Sequence, residues 1–361
     1  MSFYAIGEPG YTTSNWYRNI MDGLINEKRQ KRFTLTILDS IDELKLHTIQ
    51  NEDVMFIIGT NSEWLAKVIN VCESAFDNRV IVLGNHENKL RRGRYSIVTA
   101  DIAHDIQVLY NYLTSYDKSR IAMYGINPDS TSDAFRKESF LACGASENDL
   151  FYNTGSLAQC YENFLQRIHD YDAVICVNDY AAISLVRYLK GEKQIFITSC
   201  GGGTLLSHFF SPCITHTWID YQSFGKAGLD LSRILQKNKH ANFVNIYLSS
   251  TFFVGETTDF LPLVKESAPD IKSITKENDT FYSDSEIDEM LKIETLLNAC
   301  DREDFLILEH LLHNATYPKI AEELFMSING VKYKLKNMFN ICQVSSKTEF
   351  VALLNKYINN Y

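Results

Sequence analysis

No Cys-x-x-Cys pair occurs among the eight cysteines of this 361-residue chain. Cys72, Cys143, Cys160, Cys176, Cys200, Cys213, Cys300 and Cys342 are scattered, and most lie in apolar surroundings such as Ala173-Val174-Ile175-Cys176-Val177. That pattern argues against a disulfide framework or cysteine zinc site and suits reduced thiols in a cytosolic core. His86 and His104 lack metal-ligand spacing. Neither a metal nor a cofactor is therefore expected. No apolar run approaches the roughly 18 residues that span a bilayer. No basic start leads into an apolar segment of signal-peptide length. A cytoplasmic protein with no membrane partner is the expectation. There is also no basic excess, since the formal net charge is −10. An acidic body disfavours non-specific phosphate binding.

What is present is a βα rhythm. The length predicts two or three domains, and 45% hydrophobic residues are ample for sizeable cores. Strand-like runs at 3–6, 33–38, 54–58, 80–83, 96–99, 120–124, 173–177, 194–198 and 243–248 alternate with helical patterns. The helices are expected at 15–28, 62–75, 102–116, 132–143, 157–169, 179–190 and 222–236. Repeated βα units with short polar joints predict open parallel sheets with helices on both faces. Two such sets are expected, before and after about residue 117. Such sheets bind ligands at the C-terminal ends of their strands, so two of them predict a cleft between lobes. The fold class is therefore an α/β two-lobed sensor over residues 1–258. Residues 255–285 are rich in Thr, Ser, Asp, Glu, Lys and Pro and read as a linker. A connecting helix over 285–298 follows, with Ile287, Met290, Leu291 and Leu297 at near-helical spacing. It completes a joining segment over 259–298 and is a candidate dimer contact. A small all-α domain over 299–361 ends the chain.

The end of the chain has its own pattern. Residues 318–325 predict a short helix with Ile320, Ala321, Leu324 and Phe325 inward. A turn follows at Met326-Ser327, then a second helix over 328–341. Val331, Leu335, Met338 and Cys342 share one face of it, while Asn329, Lys332, Tyr333, Lys336 and Asn340 share the other. Residues 327–348 hold four lysines and no acid, although residues 300–361 as a whole carry seven basic and seven acidic residues. Asp301-x-x-Asp304 predicts a cap for a preceding helix that continues with Phe305, Leu308, Leu311 and Leu312. Ser346-x-x-Glu349 predicts a capping box for a last helix with Phe350, Leu353, Leu354 and Tyr357 inward. Two short helices on a tight turn, the second with a polar cationic face, have the form of a helix-turn-helix DNA reader. The plain structural alternative is a four-helix cap with a solvated lysine face.

Residues 300–357 resemble the LuxR-type (GerE-like) helix-turn-helix domain. Ile320-Ala321, Leu324, Ser327, Val331-Lys332, Leu335 and the helix led by Ser346 carry the likeness. Gly330 stands where the family has Thr, Lys334 where it has His, and Glu303-Asp304 where it has an Arg-Glu pair. The resemblance implies binding to double-stranded DNA through Asn329, Lys332, Tyr333, Lys336 and Asn340. It also implies a homodimer, because two readers are needed for two half-sites.

Residues 3–258 resemble the effector domain of LacI-type repressors, which has the periplasmic-binding-protein fold. The marks are the strand 120–124, the arginine-bearing helix 136–141, and the strand and loop from Ala173 through Asn178-Asp179 to Ala182. The crossover at 212–225 and the ending Val254-Gly255-Glu256-Thr257-Thr258 complete them. Those repressors carry their reader at the N-terminus, whereas this chain starts at its first strand. The family's Gly-x-Asp after the 194–198 strand is replaced by Ser199-Cys200-Gly201-Gly202-Gly203. The resemblance implies a small-molecule effector, a sugar, polyol or small acid, that is bound and not transformed.

Five residues are candidate ligand contacts. The Arg136 guanidinium can donate paired hydrogen bonds to hydroxyls or a carboxylate. Asn178 can donate and accept, and Asp179 can accept. Trp16 and Trp218 offer flat apolar faces. Their plain structural roles would be an ion pair for Arg136, a helix N-cap for Asp179 and a core aromatic for Trp16. Ser199 beside the glycines suggests a nucleophile, but no Gly-x-Ser-x-Gly is present and no histidine is placed beside it. A close backbone approach or tight turn suits the glycines better. The short basic run 89–94 reads as a solvated loop. Two other readings remain: an α/β enzyme with a helical assembly tail, and a signalling receiver fused to a reader. The second lacks the acidic cluster expected after its first strand, where only Glu8 lies.

Overall fold

Val54–Ile58 is an unbroken apolar run in which all five residues are buried. Such a strand belongs in the middle of a parallel sheet covered on both faces. The computed structural model describes residues 2–31, 33–77, 79–84, 94–189, 194–202, 205–238, 240–258 and 284–358. His86, residues 89–93 of the basic run, Gly203 and residues 259–283 of the linker lie outside the described residues.

The first set of elements is β1 (Ser2–Gly7), α1 (Asn15–Lys31), β2 (Thr34–Leu38), β3 (Val54–Ile58), α2 (Ser62–Phe76), β4 (Val80–Leu83), β5 (Tyr95–Ala100) and α3 (Ile102–Ser115). The second is β6 (Ile121–Ile126), α4 (Thr131–Ala142), β7 (Leu150–Tyr152), α5 (Leu157–Leu165), β8 (Ala173–Cys176), α6 (Asp179–Tyr188), β9 (Phe196–Gly202), α7 (Leu205–Phe209) and β10 (Thr215–Trp218). Then come α8 (Tyr221–Lys237), β11 (Asn245–Leu248) and β12 (Thr251–Phe253).

Two six-stranded sheets result, in the orders β11-β5-β4-β3-β1-β2 and β12-β10-β9-β8-β6-β7. The registers are parallel, with Ala5 opposite Ile37 and Phe56, Val82 opposite Ile57, and Cys176 opposite Ser199. The chain leaves the first sheet after β5, returns for β11, and leaves again for β12. The two-sheet α/β architecture expected from the βα rhythm is therefore present, crossovers included.

The chain forms two compact units. One comprises Met1–Asn111, Ile126–Asn148 and Trp218–Thr251, and the other Tyr112–Gly125, Asp149–Thr217 and Phe252–Tyr361. In the first unit, α1 and α8 touch backbone to backbone. A Cβ on Gly225 would stand 2.5 Å from the Ile20 carbonyl oxygen and 2.6 Å from the Leu24 nitrogen.

The second unit contains the described tail: α9 (Ser285–Ala299), α10 (Arg302–Leu312), α11 (Tyr317–Glu323), α12 (Ile328–Cys342) and α13 (Lys347–Tyr357). Its caps are local. Asp301 and Asp304 form a reciprocal capping box on α10. Ser346 caps α13, accepting from the Glu349 amide, but the Glu349 carboxylate turns to the Ser345 amide and hydroxyl instead of completing the box. Val331, Leu335, Met338 and Cys342 are buried on α12 as the periodicity predicts.

Several details differ from expectation. Phe325 points outward and is 97% exposed. Leu324 already caps α11, and Phe325 takes a left-handed φ of 53° that turns its side chain away from Ile320 and Ala321. Strands β7, β10 and β12 have three or four residues each, too short for a period to show, and β10 reads Thr-His-Thr-Trp. The helix expected to run to residue 169 ends at Leu165, and a tighter turn at Ile168–Asp170 follows it. Ser199-Cys200-Gly201-Gly202 is not a loop but the end of β9, paired to β8 and tied to β10 by the Gly201 amide donating to Thr217 Oγ1.

Replacing Gly225 by Ala forces backbone apart and is expected to cost about 1–3 kcal/mol, as overpacking does. A lowered urea midpoint with an unchanged slope would show it; an unchanged midpoint would mean that α1 and α8 separate freely.

Candidate functional site

The C-terminal edge of the second sheet gathers polar side chains that water does not reach. Asn153 follows β7, Asp179 opens α6 after β8, Ser199 lies in the middle of β9 beside the last residue of β8, and His216 lies on β10. Their exposures are 1%, 2%, 0% and 4%. The strands place them at one end. Cys176, the last residue of β8, pairs with Ser199. Thr217, beside His216, bonds Gly201. Gly125, with a left-handed φ of 85°, lets β6 close onto Ala181, Val177 and Leu157. The Tyr124 hydroxyl donates to the Leu157 carbonyl at 3.1 Å. The start of α5, and hence Asn153 before it, thus stands at the same edge.

Neither carboxamide atom of Asn153 has a hydrogen-bond partner among the described residues, and the Ser199 hydroxyl and His216 Nε2 have none either. The opposite imidazole nitrogen, His216 Nδ1, is 2.8 Å from the Ile214 carbonyl, and the ring stacks on Phe253 at 5.3 Å. A donor from Nδ1 to that carbonyl leaves Nε2 as an acceptor. Each buried polar group without a partner costs about 1–3 kcal/mol. An amide, a hydroxyl and an imidazole held at that cost are groups suited to meeting hydroxyls. Sequence reading passed over Asn153, Ser199 as a ligand group, and His216. The βα rule for strand ends pointed to this edge, but β7, which precedes Asn153, and β10, which bears His216, were too short to detect.

The predicted contacts are divided. Asn178 is the N-cap of α6, its side chain accepting from the Ala181 amide at 2.9 Å, so the capping role expected for Asp179 falls to its neighbour. Asp179, the first residue of α6, is buried after β8. Arg136 lies in the first unit, buried on α4, and donates to Asp133 Oδ1 at 2.6 Å. The Asn127 amide holds the other Asp133 oxygen at 2.9 Å. Trp16, also in the first unit, contacts Tyr11 and Tyr221, with ring centroids 5.9 and 6.5 Å away. Glu8, buried nearby in sequence, accepts from the Thr60 and Asn61 amides. Trp218 ends β10 and is 37% exposed. Asn178 and Asp179 lie in the second unit, while Trp16, Arg136 and Trp218 lie in the first. Ser199 and Cys200 are buried within a strand, which is no setting for an exposed nucleophile.

On the tail, Asn329, Lys332, Tyr333, Lys336 and Asn340 are all exposed on α12. The lysines are not equivalent. Lys334 donates to Asp301 at 2.9 Å and to Asp304 at 3.0 Å, with Glu303 at 3.5 Å. Burial works against its charge, but the hydrogen bonds to Asp301 and Asp304 outweigh that and hold its pKa above the ordinary lysine value. Lys347 donates to the Ala315 carbonyl and lies over the Tyr317 ring. Lys332 and Lys336 are left as the outward cations of α12. Among the described residues no group of three or more His, Cys, Asp or Glu could hold a metal, and no helix is long and apolar enough to cross a membrane.

Asn153→Leu should raise the stability of the ligand-free protein by on the order of 1 kcal/mol, because an unsatisfied amide is replaced by an apolar group of similar size. Urea denaturation measures this. A loss of stability would mean that Asn153 serves the fold itself.

No protein-family model matches the chain, and no curated protein does. Solved structures do. The fold is similar to a structure described as the transcriptional regulator CelR–cellobiose complex, with a TM-score of 0.57 and 16% identity over 71% of this chain and 84% of that one. A LacI-family transcriptional regulator CCPA from Weissella paramesenteroides with bound sucrose is similar at a TM-score of 0.56 and 14% identity, over 71% and 98% of the two chains. A LacI-family transcriptional regulator from Silicibacter pomeroyi gives a TM-score of 0.57 and 18% identity, over 72% and 99%. At such identities the likeness is one of fold: two parallel-dominated sheets with flanking helices, to which this chain adds a helical C-terminal region.

Proposed function

We propose that this protein is a cytoplasmic, ligand-responsive transcriptional regulator that binds double-stranded DNA through its tail and does not transform its ligand. The observation that carries the reading is the surface of α12. Five polar or cationic residues are exposed on it after a tight turn from α11, while its neighbouring lysine is neutralised by an acidic cap. Lys332 and Lys336 are then the phosphate-seeking groups, and Asn329, Tyr333 and Asn340 are placed to approach bases or backbone. The form is that of a LuxR-type reader, and two readers on one operator call for a homodimer.

The effector reading rests on the polar edge of the second sheet. Asn153, Asp179, Ser199 and His216 offer donors and acceptors for hydroxyls, so a sugar or polyol is the ligand class. Similar folds described with cellobiose and sucrose support that class. Asn178 flanks the cluster as a helix cap. Arg136, Trp16 and Trp218 lie in the other unit, and this reading draws no contact from them at the edge. A small acid would depend on Arg136, whose charge Asp133 already meets. The enzyme alternative predicts steady product formation, which the same ligand screen would expose.

Duplexes enriched from a random library by the full chain provide the DNA test. Changing Lys332 and Lys336 to Ala should weaken binding and flatten the salt dependence by about one unit for each phosphate no longer neutralised. Lys334→Ala should instead lower tail stability with little change in that slope. Failure of the folded protein to enrich any duplex sinks the reader. For the effector, thermal shifts with sugars, polyols and small acids should find stabilising sugars or polyols whose effect is lost in His216→Ala. A stabilising ligand that binds His216→Ala and Asn153→Leu normally would move the site elsewhere.

A further inference from the structure

The tail meets the rest of its unit through carboxylates that are almost wholly buried. Asp284, Glu286 and Glu294, on or just before α9, are 3%, 8% and 2% exposed. A buried charge is costly unless donors meet it. Here the donors come from helices that flank the second sheet. Asp284 Oδ1 accepts from the Glu286 amide at 3.0 Å and so caps α9, while Oδ2 accepts from the Leu157 amide at 2.8 Å in the first turn of α5. One carboxylate thus bridges two helix N-termini, where both backbone dipoles favour negative charge. Glu286 accepts from the Ser184 hydroxyl at 2.9 Å, the Tyr188 hydroxyl at 2.8 Å and the Arg187 guanidinium, all on α6. Glu294 accepts from the Leu206 amide at 2.6 Å on α7. Desolvation pushes the Glu286 carboxyl above its ordinary range, against the pull of Arg187, Tyr188 and Ser184.

Two of these anchors reach α5 and α6, which follow Asn153 and begin at Asp179. Asn153 stands just before α5, whose first amide Asp284 holds. Asp179 opens α6, whose far end supplies Ser184, Arg187 and Tyr188. Beyond the clamp lies the reader. The Arg187 guanidinium sits 4.8 Å from the Tyr357 ring on α13, and the Tyr357 hydroxyl donates to Glu289 of α9 at 2.8 Å. Phe209 of α7 stacks on Phe305 of α10 at 5.7 Å.

We infer that α9 is a coupling helix whose clamped seating, held by Asp284 and Glu286 on α5 and α6, links the state of the polar edge to DNA binding by the tail. The inference rests on the DNA-reader and effector-edge readings above. Ordering at Asn153 or Asp179 shifts the N-terminal ends of α5 and α6. The clamp then favours one seating of α9 and, through Tyr357 and Phe305, one presentation of α12. A coupling of this kind requires an element with two arrangements that both sites bias.

Hydrogen exchange on the full chain tests it without a known ligand. In the variant Asp284→Asn with Glu286→Gln, amides of α9 should exchange at least tenfold faster, and those in the first turn of α5 and the last turn of α6 should follow. Protection within α12 should persist. Affinity for a duplex enriched by the wild-type chain should change at least threefold although Lys332 and Lys336 are untouched. In the opposite direction, Asn153→Leu, with the clamp intact, should change α9 exchange by threefold or more relative to the amides of β8 in the same protein. Faster α9 exchange with unchanged affinity would reduce the clamp to a structural staple and overturn the proposal. So would α9 exchange indifferent to Asn153→Leu. If the double variant does not fold, Arg187→Met replaces it with the same expected and overturning outcomes. If the wild-type chain enriches no duplex, the reader reading and this coupling fall together. If the duplex binds but no α9 response follows, the coupling alone falls.

Discussion

Fully buried parallel strands set the terms for this fold. Val54–Ile58, Val80–Leu83 and Ala173–Cys176 expose no residue. Apolar surface of that extent is the main source of folding free energy, and it must be covered on both sides. Parallel neighbours cannot be joined by hairpins, so most of the described connections carry a helix along a sheet face. Several helices therefore begin soon after strands end, and Asn153 and Asp179 stand in such positions, while Ser199 and His216 lie within strands. The location of the candidate ligand site follows from how the strands are buried.

Within the second unit, buried polarity takes two forms. At the sheet edge, Asn153, Ser199 and His216 carry atoms without protein partners among the described residues, and the fold bears that cost. At α9, the carboxylates of Asp284, Glu286 and Glu294 are as deeply buried but are met by backbone amides, hydroxyls and a guanidinium. Unmet groups suit recognition, since an external ligand can supply what is missing. Met groups suit orientation, since removing one partner strands a charge. The two sets are joined through α5 and α6, whose first turns border the edge and whose backbone or last turn receives the clamp.

The tail shows how an acidic protein can present a cationic surface. Its basic and acidic residues balance, yet they are sorted by structure. Lys334 is drawn into the acidic start of α10, where Asp301 and Asp304 also cap that helix. Lys332 and Lys336 remain on the outer face with Tyr333.

Local pattern made much of this molecule legible. The βα rhythm specified the α/β class, because strand and helix periods are short-range. The caps at Asp301 and Ser346 and the inward face of α12 were readable because they depend on residues three or four apart. The sequence by itself therefore determined the longer helices and strands and the apolar face of α12, but not the short elements β7, α7, β10 and β12. It did not reveal that Phe325 turns outward, that Ser199-Cys200 continues a strand, or that Asn153 and His216 join Asp179 at one edge. Nor did it show that Arg136 is matched by Asp133, or that Asp284 spans the N-termini of α5 and α9. Each of these depends on groups brought together from distant parts of the chain or on a single backbone angle. Tertiary packing decided them, since the partners of a buried polar group are set by which elements neighbour it in space, and no short-range period encodes that.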